Sequence, residues 1–236
     1  MKKYNIHILM FSLLILFLIF ISVFISRDYI KTSLNKQNSV KLTVIIDAGH
    51  GGEDGGAVAP DGSLEKDFNL DIALKLEKIL NMYGFDVIMT RREDKMTCSD
   101  GLTTQRQKKV SDIRNRLKLI ENNPNSIFVS IHQNNFSDCN QYGTQVFYSG
   151  NNLKSKTLAD CIQQSVVKNL QLNNKRIIKK SGTEIFLLYK SKVPTVLVEC
   201  GFLSNIKELE LLKTDTYRQK LAIMIADGII KYNLSW

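Results

Sequence analysis

Cysteine is scarce in this chain, and its placement excludes the simplest cysteine-based sites. The 236 residues include four cysteines, and no two of them have C-x-x-C spacing. A metal site built from cysteines is therefore not expected. The sequence is compatible with a disulfide between Cys98 and Cys139, in two predicted loops, and also with free thiols there and at Cys161 and Cys200.

Internal repeats, low-complexity segments and nucleic-acid recognition motifs are also absent from the sequence, so we expect no nucleic-acid partner. Positive charge is plentiful instead, since 32 Lys and Arg residues face 23 Asp and Glu residues, for a formal charge of +9. A basic surface suits anionic wall polymers or lipid headgroups. The alternative is that the excess charge only keeps the protein in solution.

One long uncharged run lies at the N-terminus. Two lysines precede residues 4–26, and the 18 residues from Ile8 to Ile25 are almost wholly apolar. That length approaches what a helix needs to cross a bilayer, and no A-x-A-like cleavage site follows it. The sequence thus favours a retained transmembrane helix over residues 1–26, rather than a cleaved signal peptide, with the rest of the chain outside the cytoplasm.

Beyond this run, the sequence predicts a polar linker over residues 27–40 and one domain over residues 41–236. Apolar runs alternate with helical apolar faces, a pattern typical of α/β proteins. We predict strands at Leu42–Asp47, Phe85–Thr90, Ile127–Ile131, Thr144–Tyr148, Glu184–Leu188 and Thr195–Val198, and helices at Leu64–Met82, Arg106–Glu121, Leu153–Leu170, Ile206–Leu212 and Thr216–Tyr232. The expected fold is a single α/β domain whose mixed, largely parallel twisted sheet has about six strands and helices on both faces.

Histidine is even rarer than cysteine in the domain. Of three histidines, His7 belongs to the apolar N-terminal run, which leaves His50 and His132. Each follows the end of a predicted strand, and open α/β sheets bind ligands at the carboxyl ends of their strands. The loop GHGGEDGG around His50 lacks the G-K-[ST] of a phosphate loop, and its two carboxylates would repel an anion. This loop is therefore predicted to present a metal ligand.

Two imidazoles do not complete a catalytic zinc site, which usually has three protein ligands and one open position. A carboxylate near His50 should supply the third ligand. Glu65 lies in the first turn of a predicted helix, where an acid is also explained by the helix dipole. Spacing leaves the choice open among Glu53, Asp54, Asp61, Glu65 and Asp67.

A general base is predicted at Glu199, which follows the apolar strand Thr195–Val198. Burial at that position should disfavour the charged carboxylate and raise its pKa, which suits proton transfer near neutral pH. A buried salt bridge with Arg92 or Arg116 is the structural alternative. Asp47, at the end of the first strand, is placed to orient a histidine.

Several ordered motifs resemble those of one family, the zinc-dependent N-acetylmuramoyl-L-alanine amidases of the amidase-3 type. They are DAGHGGEDGGAV, LEKDFNLDIALKL, VIMTRRED, SIHQNN, GTQVFY and PTVLVECGFLSN. The resemblance implies that His50, Glu65 and His132 bind Zn²⁺ and that Glu199 is catalytic. It also implies hydrolysis of the amide between muramic acid and the L-alanine of the stem peptide in peptidoglycan.

Within this family the chain is similar to a sporulation amidase. The N-terminal anchor, the absence of wall-binding repeats and the segment QRQKKVSDIRNR carry that similarity. It implies a role in spore cortex synthesis, as a step toward muramic lactam, and so a link to germination. It also implies a location between the two membranes around the forespore.

Three further residues have expected roles. Asn134 matches the family's asparagine after the S-I-H motif and is expected to contact substrate or support a ligand. Arg92 and Arg116 are expected to contact carboxylates of the muropeptide or, equally, a buried acid. Only a few residues follow Tyr148 before the next predicted helix, where some relatives carry an inhibitory insert, so an accessory protein is a candidate regulator.

Two other functions remain open on the sequence. A zinc exopeptidase acting on stem peptides would use the same ligands and the same base. A non-catalytic, membrane-anchored wall-binding module would need neither zinc nor Glu199.

Overall fold

The structure is a computed structural model that describes residues 41–235 and, before them, residues 10–11, 13–15, 17 and 20–23. The chain divides into two compact units, between Lys41 and Leu42. The described positions between residues 10 and 23 are helical. No helix within these described ranges has both the length and the apolar character that crossing a membrane requires. The predicted linker and most positions of the predicted transmembrane helix lie outside the described residues.

The described residues of the second unit form six strands and six helices. The strands are β1 (Thr43–Ala48), β2 (Asp86–Met89), β3 (Ser126–Asn134), β4 (Gln145–Tyr148), β5 (Lys179–Lys180) and β6 (Thr195–Phe202). The helices are α1 (Glu65–Met82), α2 (Gln105–Glu121), α3 (Lys154–Asn169), α4 (Phe186–Lys190), α5 (Ile206–Lys213) and α6 (Asp215–Leu234).

The strands form one sheet in the order β2-β1-β3-β6-β4-β5. Every neighbouring pair is parallel except β4 with β6, which is antiparallel. Helices cover both faces of the sheet, and alternate residues of β1 therefore pack in two different cores. Val44 packs in a large cluster with α1, α3 and α6, and Ile45 packs in a smaller one with residues of α2 and α4. The predicted mixed, largely parallel α/β sheet is confirmed.

The predicted strand at Glu184–Leu188 is wrong. Residues 186–190 form the short helix α4, and β5 is the strand that pairs with β4 at the sheet edge. Leu187 is buried in the smaller core, close to Val193. A short apolar run does not reveal whether it is a buried strand or a buried helical turn. Here the run is helical and packs on the face of the sheet that contains Ile45 and Phe128.

The four cysteines are free thiols in the structure. Cys200 is buried in β6, and burial raises the pKa of its thiol. Cys139 is exposed and Cys98 is half-buried. The structure therefore has the free-thiol alternative and not the Cys98–Cys139 disulfide.

The three central strands place the candidate residues at their carboxyl ends, which we call the carboxyl edge of the sheet. Since β1, β3 and β6 are parallel, their carboxyl ends lie side by side. Ala48 pairs in register with Ile131, and His132 pairs with Glu199. This carboxyl edge is where the site is built.

Candidate active site

The loop that follows β1 brings His50 to the edge in an unusual conformation. His50 has φ of 61°, and it is the only residue other than glycine with positive φ among the described residues. Such backbone strain is concentrated at functional sites. Two glycines make room beside it. A Cβ at Gly49 would overlap the His132 ring, and a Cβ at Gly56 would lie 2.5 Å from Glu65 Oε2.

Three side chains meet in front of this loop. One ligand atom from each of His50, Glu65 and His132 lies within 4.8 Å of the others. Glu65 Oε2 is 3.2 Å from His50 Nε2, and Glu65 Oε1 is 2.9 Å from His132 Nδ1. The two imidazole rings are edge to face, with centroids 5.0 Å apart. We call these three residues the ligand cluster; two histidines and a carboxylate are a ligand set that catalytic zinc uses.

Glu65 is held as a buried carboxylate. It is the first residue of α1 and is 4% exposed. Its oxygens accept hydrogen bonds from Ala57 N at 2.8 Å, from Gln133 N at 3.2 Å and from Asn69 Nδ2 at 3.2 Å. Burial alone would raise the pKa of Glu65, but the bonds from the two histidines outweigh it and lower that pKa. Glu65 is therefore an anion at neutral pH and is ready to bind a cation.

The outer nitrogen of His50 is oriented by Asp54. Asp54 Oδ2 lies 2.9 Å from His50 Nδ1, which leaves Nε2 facing Glu65. Burial lowers the pKa of His50, yet the bonds with Asp54 and Glu65 raise it to about 9. A carboxylate on the far nitrogen of a ligating histidine fixes its tautomer and orientation.

Asp47 makes no hydrogen bond to a histidine among the described residues, so its predicted role in orienting one stays a prediction. Its carboxylate instead accepts hydrogen bonds from Arg116, from Thr90 at 2.8 Å and from Ser130 at 2.6 Å. Burial opposes ionisation, but Arg116 and the hydroxyl groups outweigh it and lower the pKa of Asp47. Through Arg116, which also donates to His50 O, Asp47 is linked to the histidine loop.

Arg116 is 3% exposed and bonds to two acids, Asp47 and Asp112. It also donates to Ala48 O at 2.9 Å and to His50 O at 2.8 Å. The buried-acid alternative for Arg116 is therefore confirmed. Its guanidinium ties the backbone of the histidine loop to α2.

Arg91 is a residue that the sequence interpretation missed. It is 2% exposed and donates to four carbonyl oxygens, of Ala48 at 2.9 Å, of Gly49 at 3.0 Å, of Lys66 at 2.9 Å and of Glu93 at 3.1 Å. It thereby joins the histidine loop to the first turn of α1. The neighbouring Arg92, which was singled out instead, is exposed and pairs with Glu77 at 2.6 Å. Arg91 directly follows the predicted strand Phe85–Thr90, and this position was the signal that could have identified it.

Glu199 lies in β6 opposite His132, on a neighbouring strand about 4.8 Å away. Its Oε2 is buried and has no hydrogen-bond partner among the described residues. Burial raises the pKa of Glu199 to about 7, with the opposing charges of His132 and the like charge of Glu65 as smaller influences. The salt bridge with Arg92 or Arg116 is not formed, so that alternative is wrong. A carboxyl group that titrates near neutrality is suited to proton transfer.

Asn134 ends β3, where the register between β3 and β6 shifts. Its carbonyl accepts a hydrogen bond from Leu203 N at 2.8 Å. Its half-buried side chain makes no hydrogen bond to the residues that the structure describes. A contact between Asn134 and substrate stays a prediction.

Comparison with known proteins identifies what these features resemble. Residues 44–231 match the family model described as N-acetylmuramoyl-L-alanine amidase. The germination-specific N-acetylmuramoyl-L-alanine amidase of Bacillus subtilis is 35% identical over 189 residues, which cover 80% of this chain and 78% of that protein.

Solved structures agree with the sequence comparison. The CwlD amidase from Clostridioides difficile, in complex with the GerS lipoprotein, is 41% identical with a TM-score of 0.80, over 83% of this chain and 100% of that one. The amidase AmiC2 of Nostoc punctiforme is 30% identical with a TM-score of 0.70, over 84% and 99% of the two chains.

Proposed function

The chain belongs to the N-acetylmuramoyl-L-alanine amidase family and acts on peptidoglycan, and we propose that it cleaves the muramic acid–L-alanine amide with zinc held by His50, Glu65 and His132. Glu199 is the general base in this proposal. The observation that carries it is the position of Glu199, which pairs in register with the cluster residue His132 and has a buried oxygen without a hydrogen-bond partner among the described residues.

The ligand cluster fits zinc by the chemistry of its donors. Two imidazole nitrogens and an ionised carboxylate form the set, and Asp54 holds His50 so that Nε2 faces the cluster, where a metal ion would displace the proton that the raised pKa of His50 keeps on the ring. When bound, zinc supplies Lewis-acid polarisation of the scissile carbonyl and makes hydroxide available near neutral pH. The strained His50 loop is held ready by Arg91 and Arg116 through its carbonyl groups.

Glu199 moves the proton in this reaction. With a pKa raised to about 7 by burial, its carboxylate takes a proton from the attacking water at neutral pH. The protonated side chain then gives that proton to the amine of the departing alanine. Both transfers occur at the same carboxyl group, so one residue serves both halves of the hydrolysis.

The relatives support a role in sporulation. The Bacillus subtilis relative is named as germination-specific, and the CwlD structure shares 41% identity with this chain. We propose that this amidase acts in spore cortex synthesis and removes stem peptides before muramic lactam forms. The forespore intermembrane space is the proposed location.

The described residues of the N-terminal unit support a membrane anchor. Those between residues 10 and 23 are helical, and the apolar side chains of Phe11, Phe17 and Phe20 are all more than half exposed. A helix that is apolar on all sides needs an apolar environment. We propose that residues 1–26 anchor the chain in the membrane; flotation of the full chain with uncharged phospholipid vesicles tests this.

An accessory protein is proposed as a further partner. The solved CwlD amidase is in complex with the GerS lipoprotein. In this chain the five residues 149–153 connect β4 to α3, which leaves no room for an inhibitory helix there. A pull-down from sporulating cells that recovers only the amidase would count against the accessory partner.

The activity is tested by digesting purified peptidoglycan with the full chain, first stripped of metal by a chelator and then supplied with zinc. Mass spectrometry should find free stem peptides that begin with alanine only when zinc is present. Release of single amino acids would instead indicate an exopeptidase. Equal release with and without zinc would contradict the metal proposal while leaving the amidase activity in place.

A further inference from the structure

Positive charge is concentrated in one stretch of the second unit. Residues 149–193 contain nine Lys and Arg residues and two acids. The rest of residues 41–235 contains 18 Lys and Arg residues and 20 acids. The whole positive excess of the described domain therefore comes from this stretch.

Five exposed lysines of this stretch lie at one corner of the domain, which we call the basic corner: Lys154, Lys156, Lys180, Lys190 and Lys192. Contacts between their segments bring them together. Asn152 Nδ2 donates to Lys192 O at 2.9 Å, and Asn151 Nδ2 donates to Tyr189 O. The side chain of Lys180 packs on Gly150, where a Cβ would collide with it.

Four of these lysines have no acidic partner to neutralise them. Lys156, Lys180, Lys190 and Lys192 form no ion pair with any residue that the structure describes. Lysines near the active-site loops differ, since Lys108 pairs with Glu53. The charge of these four lysines is therefore not neutralised by any acid in the part of the chain that the structure describes.

The basic corner lies at the amino ends of the central strands, which we call the amino edge of the sheet, and the active site lies at their carboxyl ends. Ser149 N donates to Thr195 O at 3.0 Å, which places the start of the corner at the amino end of β6. Glu199 lies toward the other end of that strand. The chain also enters the domain at this amino edge, because β1 begins at Thr43 and is parallel to β3 and β6.

We propose that the basic corner docks the domain onto anionic phospholipid headgroups, so that the active-site edge faces away from the bilayer toward peptidoglycan. The choice of partner rests on the proposed membrane anchor, since the chain enters the domain at this same edge. Lysines near an anionic lipid surface each strengthen association, within a Debye length of the headgroups.

The geometry favours lipid over a wall polymer. A glycan strand that is being cleaved must reach the carboxyl edge of the sheet, where His132 and Glu199 lie, and the basic corner is at the other edge. Separate lysines on flexible side chains act as point charges without fixed geometry, which suits a fluid headgroup surface.

The test reconstitutes the full chain with vesicles of phosphatidylcholine alone or mixed with phosphatidylglycerol. An amine-reactive reagent then labels the lysines, and mass spectrometry reads each site. Lys180, Lys190 and Lys192 should label severalfold more slowly in the anionic vesicles at low salt. The difference should vanish at about 1 M salt, where the Debye length falls to about 3 Å.

A matched pair of variants sharpens the test. Lys156→Gln/Lys190→Gln/Lys192→Gln should lose most of the protection of Lys180, since each lysine near such a surface is worth about a fivefold change in partitioning. The control Lys168→Gln/Lys175→Gln/Lys207→Gln removes the same charge from exposed positions outside the corner and should keep the protection.

The outcomes that would contradict the basic corner differ from those that would contradict the membrane anchor. Equal labelling in neutral and anionic vesicles, with the chain bound to both, would overturn the docking surface and leave the anchor intact. Salt-sensitive flotation with anionic vesicles alone would support the basic corner and overturn the anchor. Protection of these lysines by purified peptidoglycan and not by anionic vesicles would overturn the proposal in favour of a wall polymer.

Discussion

Two glutamates lie at the same edge of the sheet, in surroundings that differ in nearly every respect. Glu65 accepts hydrogen bonds from two backbone amides and Asn69, and it lies between two imidazoles that lower its pKa. Glu199 has a buried oxygen without a partner, and burial raises its pKa to about 7. The surroundings of Glu65 therefore favour its ionised form, while those of Glu199 favour a carboxyl group that titrates near neutral pH.

The difference comes from the backbone around each residue. Glu65 begins a helix, and the glycine loop folds against it so that backbone amides reach its oxygens. Glu199 lies within a strand whose amides are used by the sheet, and its neighbours Val198 and Cys200 are buried. A glutamate at that position receives no donors and is desolvated, which favours its neutral form.

Replacing the unpartnered carboxylate should have the largest effect. Glu199→Gln keeps the shape of the side chain but cannot accept a proton, so kcat should fall about a thousandfold. Zinc content should stay unchanged, because Glu199 is outside the ligand cluster. Activity on purified peptidoglycan and metal analysis of the same preparation check both parts.

The control for this variant is Glu210→Gln, which removes an exposed acid from α5 and should retain full activity. If Glu199→Gln kept its activity within a few-fold, the role of the two glutamates would have to be reassigned.

Replacing the partnered carboxylate should act on metal affinity first. Glu65→Gln removes one ligand charge, and zinc affinity should fall by more than the roughly 10–100-fold that the loss of an outer partner costs. Competition with a chromophoric chelator measures this directly. Activity should fall in parallel and recover partly in excess zinc, a recovery that Glu199→Gln cannot show.

Asp67→Asn is the matched control for Glu65→Gln, since Asp67 is an exposed acid in the same first turn of α1. Its zinc affinity should equal that of the wild type. Equal losses in the two variants would show that the helix dipole, and not ligation, accounts for the acid at position 65.

Much of this comparison could be predicted from the sequence. The buried carboxyl oxygen of Glu199 was expected from the apolar strand before it, and the positions of His50 and His132 after predicted strands placed both at the carboxyl ends of the strands. Spacing could not select Glu65 over Asp54, because both lie near His50. The path of the glycine loop decides the matter, since it turns Asp54 toward Nδ1 and brings Glu65 toward Nε2.

The arginines show where sequence interpretation ends. Arg91 and Arg92 are adjacent and chemically identical, yet Arg91 is buried against four carbonyl groups and Arg92 is exposed. Which of two consecutive loop residues points inward depends on how the chain leaves β2. No periodicity reports that, because the strand has already ended.

The smallest predicted effect is on the free energy of unfolding, and it tests whether the Glu199 carboxyl group, unlike that of Glu65, is unpaired. In the metal-free protein, the pKa of Glu199 is about 7, against an ordinary value of 4.5. The folded state therefore holds a proton there that the unfolded state releases, so stability is lost as the pH rises through 7. Above that pH Glu199→Gln lacks this loss and should be more stable than the wild type by about 1–3 kcal/mol. Thermal unfolding of both proteins should show that Glu199→Gln is the more stable at about pH 8, with little difference at about pH 4. If the wild type were instead the more stable at about pH 8, the Glu199 carboxylate would have to be paired.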